Sequence, residues 1–404
     1  MQREHLLAGV VVVDFTQFLA GPSVTQAMAE LGAEVIKVES APGGDPGRYL
    51  PFVREGRSGY FVQQNTAKQS VCVDFRRPDG KALVDRLIDR ADVLVENFSP
   101  GVIDKLGFGW DAVHARNPRL VMASVSALGQ DGPLATMPGF DFTGQAYSGV
   151  ASMAGDPDGA PALIGVAVGD LGTGMSALAG VCAALFHRER GGAGTRVEVS
   201  LLDFLFRSHE ANVEIHTVSG GAIKPNRSGS QSTAYAPVGY YKARDGYVNL
   251  VVPGAMWPKL CEAMGRPELA DDPRFRTNAD RVANLAELVA VIEGWMAGFD
   301  GVDAVVAHCA ARRVPAAPVL SVEQALRHPQ LAGRGAVRRV PDPILGEVTI
   351  AGQPIRAQGF AHHSGKPAPL LGEHNAEVLA RHLGMTDAEL DRLTRAGVLV
   401  AARV

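Results

Sequence analysis

A carboxylate in a glycine-rich frame carries the most chemical content in this chain: Asp170, within GDLGTG (169–174). It lies between an apolar run, 164–168, and a helix-like stretch, 175–190. Just ahead of a helix, unpaired backbone N–H groups and the helix dipole favour the charged form of an acid. Asp170 is therefore expected to stay ionised at neutral pH, as a carboxylate nucleophile must. Read alone, an aspartate here is more often a simple N-cap than a nucleophile. The surrounding chain changes that balance.

The elements that must hold this residue read as strand–helix alternation. Residues 10–15 form a short β-branched run, followed by TQFLAGP and a helix over 23–31 that ends at Gly32. Further strands are expected at 35–38, 70–75, 93–96 and 120–124, with helices at 80–90 and 111–115 between them. That spacing predicts βαβ units, hence an α/β fold with a parallel, doubly wound, Rossmann-like sheet. Ligands in such folds bind beyond the carboxyl ends of the strands, so residues 16–22 are expected to line a site. The turn after the first strand lacks GxGxxG, which removes the main support for a nicotinamide or flavin cofactor.

Later the pattern changes. Residues 204–224 look helical, and NRSGSQSTAYAP (226–237) reads as a polar loop. Strands at 238–242 and 247–252, helices at 256–264, 281–297 and 302–313, and a strand at 317–320 suggest a smaller α+β domain. The expected division is 1–200 and 323–404 for the large domain, 201–230 for a linker, and 231–322 for the small domain.

Composition narrows the function. The 404 residues are 46% hydrophobic and 20% charged, an ordinary globular balance. The net charge of −4 supplies no positive field, so neither nucleic-acid nor membrane-surface binding is expected. An anionic ligand would need local cations or backbone amides. Four scattered cysteines, Cys72, Cys182, Cys261 and Cys309, have no CxxC spacing. They read as buried free thiols in a reducing compartment, and no metal site is expected. The opening MQREHLLAGVVVVDF reads as a strand rather than a signal peptide or membrane span, so a cytoplasmic protein is expected.

Several segments in order, VVVDFTQFLAGP (11–22), LGAEVIKVE (31–39), NTAKQSVCVDFR (65–76), ADVLVENFSPGVIDKLGF (91–108), GDLGTG, GAGTRVEVSLLD (192–203), MWPKLC (256–261) and PAPLLGEH (367–374), resemble the family III CoA-transferases. The resemblance implies an interlocked dimer of ring-shaped chains, with CoA as cosubstrate and no tightly bound cofactor. It implies Asp170 as the catalytic residue, forming an aspartyl anhydride with the donor acyl group and then an aspartyl-CoA thioester. It further implies CoA contacts at Arg76, Asn97, Phe98 and Lys105; Lys68 is a further candidate cation for the CoA phosphates by its charge alone. Lys37 reads as a strand-end charge. A loop at 228–233, including Gly229 and Ser230, matches the family's glycine-rich segment over the aspartate, a place for oxyanion donors. Only Gly229 is glycine there.

Two departures bear on specificity. Formyl-CoA transferases of this family have histidine where Gln17 stands and glutamine where Leu19 stands, so an acceptor with some carbon skeleton is expected. The related α-methylacyl-CoA racemases place a histidine where Phe140 stands in PGFDFTGQ (138–145). Phe140 cannot exchange a proton, which leaves racemisation one base short. A CoA-binding protein without turnover is the remaining alternative, and a carboxylate at the thioester position argues against it. The expected reaction is transfer of CoA from an acyl-CoA, such as succinyl-CoA, to a small carboxylic or dicarboxylic acid. Arg48, Arg207 and Arg227 are candidate partners for a second carboxylate.

Overall fold

The computed structural model describes residues 5–402. It divides into two compact units. The larger comprises the chain up to Val150, Gly165–Glu210, and the chain from Pro329 onward; the smaller comprises Ala151–Ile164 and Ala211–His328.

β-branched runs build the sheet of the larger unit: β1 (Val11–Asp14), β2 (Glu34–Ser40), β3 (Gln69–Val73), β4 (Val93–Glu96), β5 (Val121–Ser126) and β6 (Arg196–Ser200). All neighbours pair in parallel. Their spatial order is β3-β2-β1-β4-β5-β6. Successive side chains alternate between the two faces, as the strand period demands. Val13, Ile36, Leu94 and Met122 enter one core, shared with Leu83, Leu87, Val378 and Leu379. Val12, Val35, Val93 and Val121 enter the other, shared with Met28, Leu178, Val181 and Leu205. Burial on both faces is what a parallel arrangement needs, and it explains why the central strands β1 and β4 read as short apolar runs.

Three helices matter for the site: α1 (Ala20–Glu30), α2 (Asp141–Ser148) and α3 (Val168–Glu189). Two of them revise the sequence reading. Helix α3 starts seven residues earlier than 175, so Asp170 lies inside its first turn rather than ahead of it. Helix α2 was not expected at all; its sequence, DFTGQAYS, has little apolar periodicity. Strand β6 was also missed, since it follows β5 only after the long stretch 127–195 that holds α2 and α3. Helix α3 is the one helix among the described residues long and apolar enough to cross a membrane. Its apolar content serves the core instead: Ala177, Leu178, Val181, Ala184 and Leu185 are buried against the sheet.

In the smaller unit, β7 (Val238–Lys242), β8 (Tyr247–Val251) and β9 (Ala316–Pro318) form an antiparallel sheet. Trp257, Leu260, Ile292, Val305 and Cys309 close its core. The expected helix 204–224 is two helices, Leu201–Arg207 and Asn212–Val218, and the division between units falls at the break. The expected linker, 201–230, is thus shared between both units, and 151–164 joins the smaller one. Likewise 281–297 splits at Asn284 into Asn278–Ala283 and Leu285–Met296. In the larger unit, a hairpin of β10 (Val337–Asp342) and β11 (Gly346–Ala351) precedes two final helices, Asn375–Leu383 and Asp387–Arg395. The four cysteines are free, and Cys182 is only half-buried.

Candidate active site

In the order β3-β2-β1-β4-β5-β6, connections leave β1 and β4 toward opposite sides, and the crevice between them is the switch point where such sheets bind ligands. A cavity of about 340 Å³ opens there. Gln17, Phe18 and Leu19 line it from the turn after β1, Asn97 and Phe98 from the turn after β4, and Ser126 and Ala127 from the end of β5. Phe140 and Asp170 line it from the starts of α2 and α3. Asp170 is the one titratable side chain on its wall.

Glycines at the start of α3 let the aspartate reach this place. A Cβ on Gly169 would stand 2.8 Å from Asp141 Oδ2 and 2.7 Å from a Leu205 methyl. A Cβ on Gly174 would stand 2.0 Å from Ser23 Oγ and 2.9 Å from the Ala20 carbonyl oxygen. Without side chains at these positions, the first turns of α3 press directly against α1 and α2.

That close approach supplies Asp170 with an unexpected neighbour. The residue at the N-cap of α3 is Ala167, which has no capping oxygen. Asp141, on the first turn of α2, accepts the Asp170 N–H through Oδ2 at 2.8 Å and fills the vacant role. Its other oxygen accepts from the Gln145 side-chain amide. The expectation of a freely ionised Asp170 is corrected here. Burial, and then the negative charge of Asp141, push its pKa up to about 7, outweighing the helix dipole. The carboxyl therefore holds its proton more tightly than a solvated aspartate does.

A second cavity of about 210 Å³ lies beyond β1, β2 and β3 and shares Gln17 and Phe98 with the first. Its wall is largely apolar, with Phe15, Val38, Phe75 and Leu106, and Arg76 stands on its rim. Arg76 is exposed; it donates to Asp74 Oδ1 at 2.9 Å and to the Ala41 carbonyl at 3.2 Å. Lys105 is exposed at the end of the short helix Val102–Lys105 and lines neither cavity.

Lys68 and Lys37 correct the sequence reading. Lys68 is fully buried and paired to Asp14 at 3.0 Å, with further bonds to Asn65 Oδ1 and the Pro22 carbonyl. It cannot meet a ligand phosphate without abandoning Asp14. Lys37 is 1% exposed, in the interior of β2, and pairs with Asp45 at 2.9 Å. Arg48 is likewise committed, forked onto Glu39 and stacked 3.8 Å from the Phe61 ring centre. No lysine, arginine or histidine lines the 340 Å³ cavity.

Phe140 is 69% exposed and meets Phe18 edge-on, ring centres 6.2 Å apart. Gly229 and Ser230 belong to the smaller unit. Gly229 adopts φ +66° and donates its N–H to the Gly155 carbonyl at 3.0 Å, while Ser230 accepts from the Tyr240 N–H. Sequence reasoning missed Asp141 as a partner of Asp170, and also Tyr60. The phenol of Tyr60 is held well above its ordinary pKa by burial and by the charges of Asp170 and Asp45. No sequence signal pointed to Tyr60; Asp141 was visible only as the residue beside Phe140. No group of side chains suited to a metal ion occurs among the described residues.

The fold belongs to a known class. CoA-transferase family III matches residues 7–375, and the chain belongs to that family of CoA-transferring enzymes. The chain is 37% identical over 410 residues to the formyl-CoA:oxalate CoA-transferase of Streptomyces avermitilis, covering 97% of this chain and 99% of that one. It is 34% identical over 390 residues to the succinyl-CoA–D-citramalate CoA-transferase of Chloroflexus aurantiacus, covering 96% of each. A crystal structure of a CaiB/BaiF family protein from Brucella suis superposes with a TM-score of 0.83 at 34% identity, covering 94% of this chain and 100% of that one.

Proposed function

We propose that this enzyme moves CoA from an acyl-CoA donor, succinyl-CoA among the candidates, to a small carboxylic or dicarboxylic acid through covalent intermediates on Asp170. The observation that carries the reading is the sole carboxyl group on the wall of the switch-point cavity. Two relatives, named for formyl-CoA with oxalate and for succinyl-CoA with citramalate, support the substrate class.

The chemistry balances without a metal or redox partner. An Asp170 oxygen attacks the donor thioester carbonyl; the C–S bond breaks and a mixed anhydride forms with release of CoA thiolate. The thiolate attacks the aspartyl carbonyl and expels the donor acid, giving an aspartyl-CoA thioester. The acceptor carboxylate attacks that thioester, forming a second anhydride and freeing the thiolate again. Thiolate attack on the acceptor acyl carbon then yields the new acyl-CoA and restores Asp170. A raised pKa suits the first step, because a more basic carboxylate is a stronger nucleophile once ionised. Each tetrahedral intermediate needs preorganised donors. Gln17, on the cavity wall, is the donor of this reading.

In this reading the pantetheine arm passes from the second cavity into the first, past Gln17 and Phe98, which line both. Arg76 meets a phosphate, with Lys105 as a second cation. Exposed apolar side chains, Leu171 at 45%, Phe186 at 65% and Phe206 at 54%, support a homodimer in the interlocked form of the family. The free thiols support a reducing, cytoplasmic setting. A racemase would need two opposed bases, whereas the cavity wall offers Asp170 alone. Incubation with acyl-CoA and hydroxylamine tests the proposal: a hydroxamate at Asp170 supports it, and an unmodified peptide under turnover conditions refutes it.

A further inference from the structure

We infer that Asn97, together with the buried Lys37–Asp45 ion pair, clamps the turn after β1 so that Gln17 and Leu19 face the cavity. Resting on the proposed CoA transfer, the inference makes these three positioning residues for that reaction. The turn would not hold its shape unaided. Phe18, a bulky non-glycine residue, sits at φ +63°, a left-handed conformation that costs about 1–3 kcal/mol unless its surroundings enforce it.

Both sides of the turn are held. On one side the Asn97 side chain pairs with the Gln17 backbone as a neighbouring strand would: Oδ1 accepts the Gln17 N–H and Nδ2 donates to the Gln17 carbonyl, both at 2.8 Å. Space for that amide is built in, because a Cβ on Gly21 would stand 2.9 Å from Asn97 Cγ. On the other side Lys37 Nζ donates to the Thr16 carbonyl at 2.7 Å and pairs with Asp45 Oδ2 at 2.9 Å. The second Asp45 oxygen accepts the N–H of Phe18 at 3.3 Å and that of Gly47 at 2.8 Å. Thus the groups on either side of the strained residue are fixed by side chains from β2, the turn after β4 and the loop after β2. Asn97 lines the cavity, yet its amide is directed at Gln17; its first task is to shape the turn rather than to read the adenine.

The test uses the full chain with Asn97→Ala, Lys37→Met and Gln17→Ala. Amide hydrogen exchange at Gln17 and Phe18 reads the clamp directly and needs no turnover. Asn97→Ala is expected to speed exchange at Gln17 by about tenfold or more, since the acceptor of that N–H is gone. Transfer should lose roughly ten- to a hundredfold in kcat, the scale of a small misplacement, while KM for the acyl-CoA changes less than about threefold. If Asn97 acts through Gln17, the double variant Gln17→Ala/Asn97→Ala should be within about twofold of the worse single variant. A structural role alone would lower Tm and leave kcat and the double-variant coupling unmoved. Multiplicative losses, or unchanged exchange at Gln17, overturn the inference. Should Lys37→Met fail to fold, Asn97→Ala decides the matter. A wild type without any CoA exchange would sink the proposed function, whereas the hydrogen-exchange comparison would still decide the clamp.

Discussion

The carboxyls of Asp14 and Glu39 and that of Asp170 on the cavity wall shift in acidity in opposite directions. Beneath the turn after β1, Asp14 is enclosed by Lys68, Thr16 and Thr25, and Glu39 by Arg48 and Ser70. Burial pushes both upward, but the neighbouring cations and hydroxyls win, and both carboxyls end below their ordinary range. Asp170 is only half-buried, yet with another carboxylate beside it and no cation on the cavity wall its pKa rises to about 7. Burial therefore does not decide the charge state; compensation does. The compensated group is scaffold, holding strands and turns in place. The uncompensated carboxyl, Asp170, is the one proposed to react.

The comparison breaks most decisively at Asp170. Asp170→Asn should lower transfer by at least about 10⁴-fold, because the nucleophile is lost while the shape is kept. Residual transfer near the wild-type rate would end the covalent assignment. The same variant tests the electrostatics. A folded-state pKa raised above the unfolded one means the native state binds the proton more tightly. Wild-type stability therefore falls as pH rises from about 4 to about 7. Asp170→Asn should then melt higher than the wild type at pH 8, by about 1–3 kcal/mol, with the gap closing toward pH 4. Paired thermal melts at the two pH values check this.

Next in size is the compensated cluster. Lys68→Met leaves Asp14 buried without its main counter-charge and should cost about 3–5 kcal/mol in denaturant unfolding. A loss below about 1 kcal/mol would show that Asp14 and Lys68 do not depend on one another. The carboxyls of this cluster stabilise the fold above their unfolded pKa values, and that contribution is lost as pH falls through their lowered folded values.

A subtler change sharpens the contrast. The pH profile of kcat/KM should rise through an apparent pKa of about 7 as Asp170 ionises. Asp141→Asn keeps an acceptor for the Asp170 N–H and removes the charge, so this limb should shift to lower pH. The shift should be partial, since burial is the larger cause and remains. An unmoved limb would mean that Asp141 acts only as a cap. The smallest effect is expected at exposed Arg76: Arg76→Ala should raise KM for the acyl-CoA about three- to tenfold, less so at high salt.

Much of the larger unit was legible. Val11–Asp14 and Val93–Glu96 announced themselves as short, Val-rich runs. Gln17, Leu19, Asn97, Phe98, Phe140 and Asp170 do share one cavity wall. Lys68, read as a ligand contact, and Lys37, read as a strand-end charge, misled for one physical reason: a lysine in sequence carries no mark of a buried carboxylate that the fold will bring to it. Helix α2 was illegible because its short, polar sequence is stabilised by packing against Leu201 and Leu205 rather than by periodicity.

The sequence by itself determined the alternation of strands and helices, the small residues around Asp170, and the lack of a dinucleotide turn, because these depend on local propensity and side-chain size. Only the tertiary structure decided which charges are neutralised. Asp14 and Asp170 are the same side chain, and what separates them is whether folding delivers a lysine or a second aspartate to within a few ångströms.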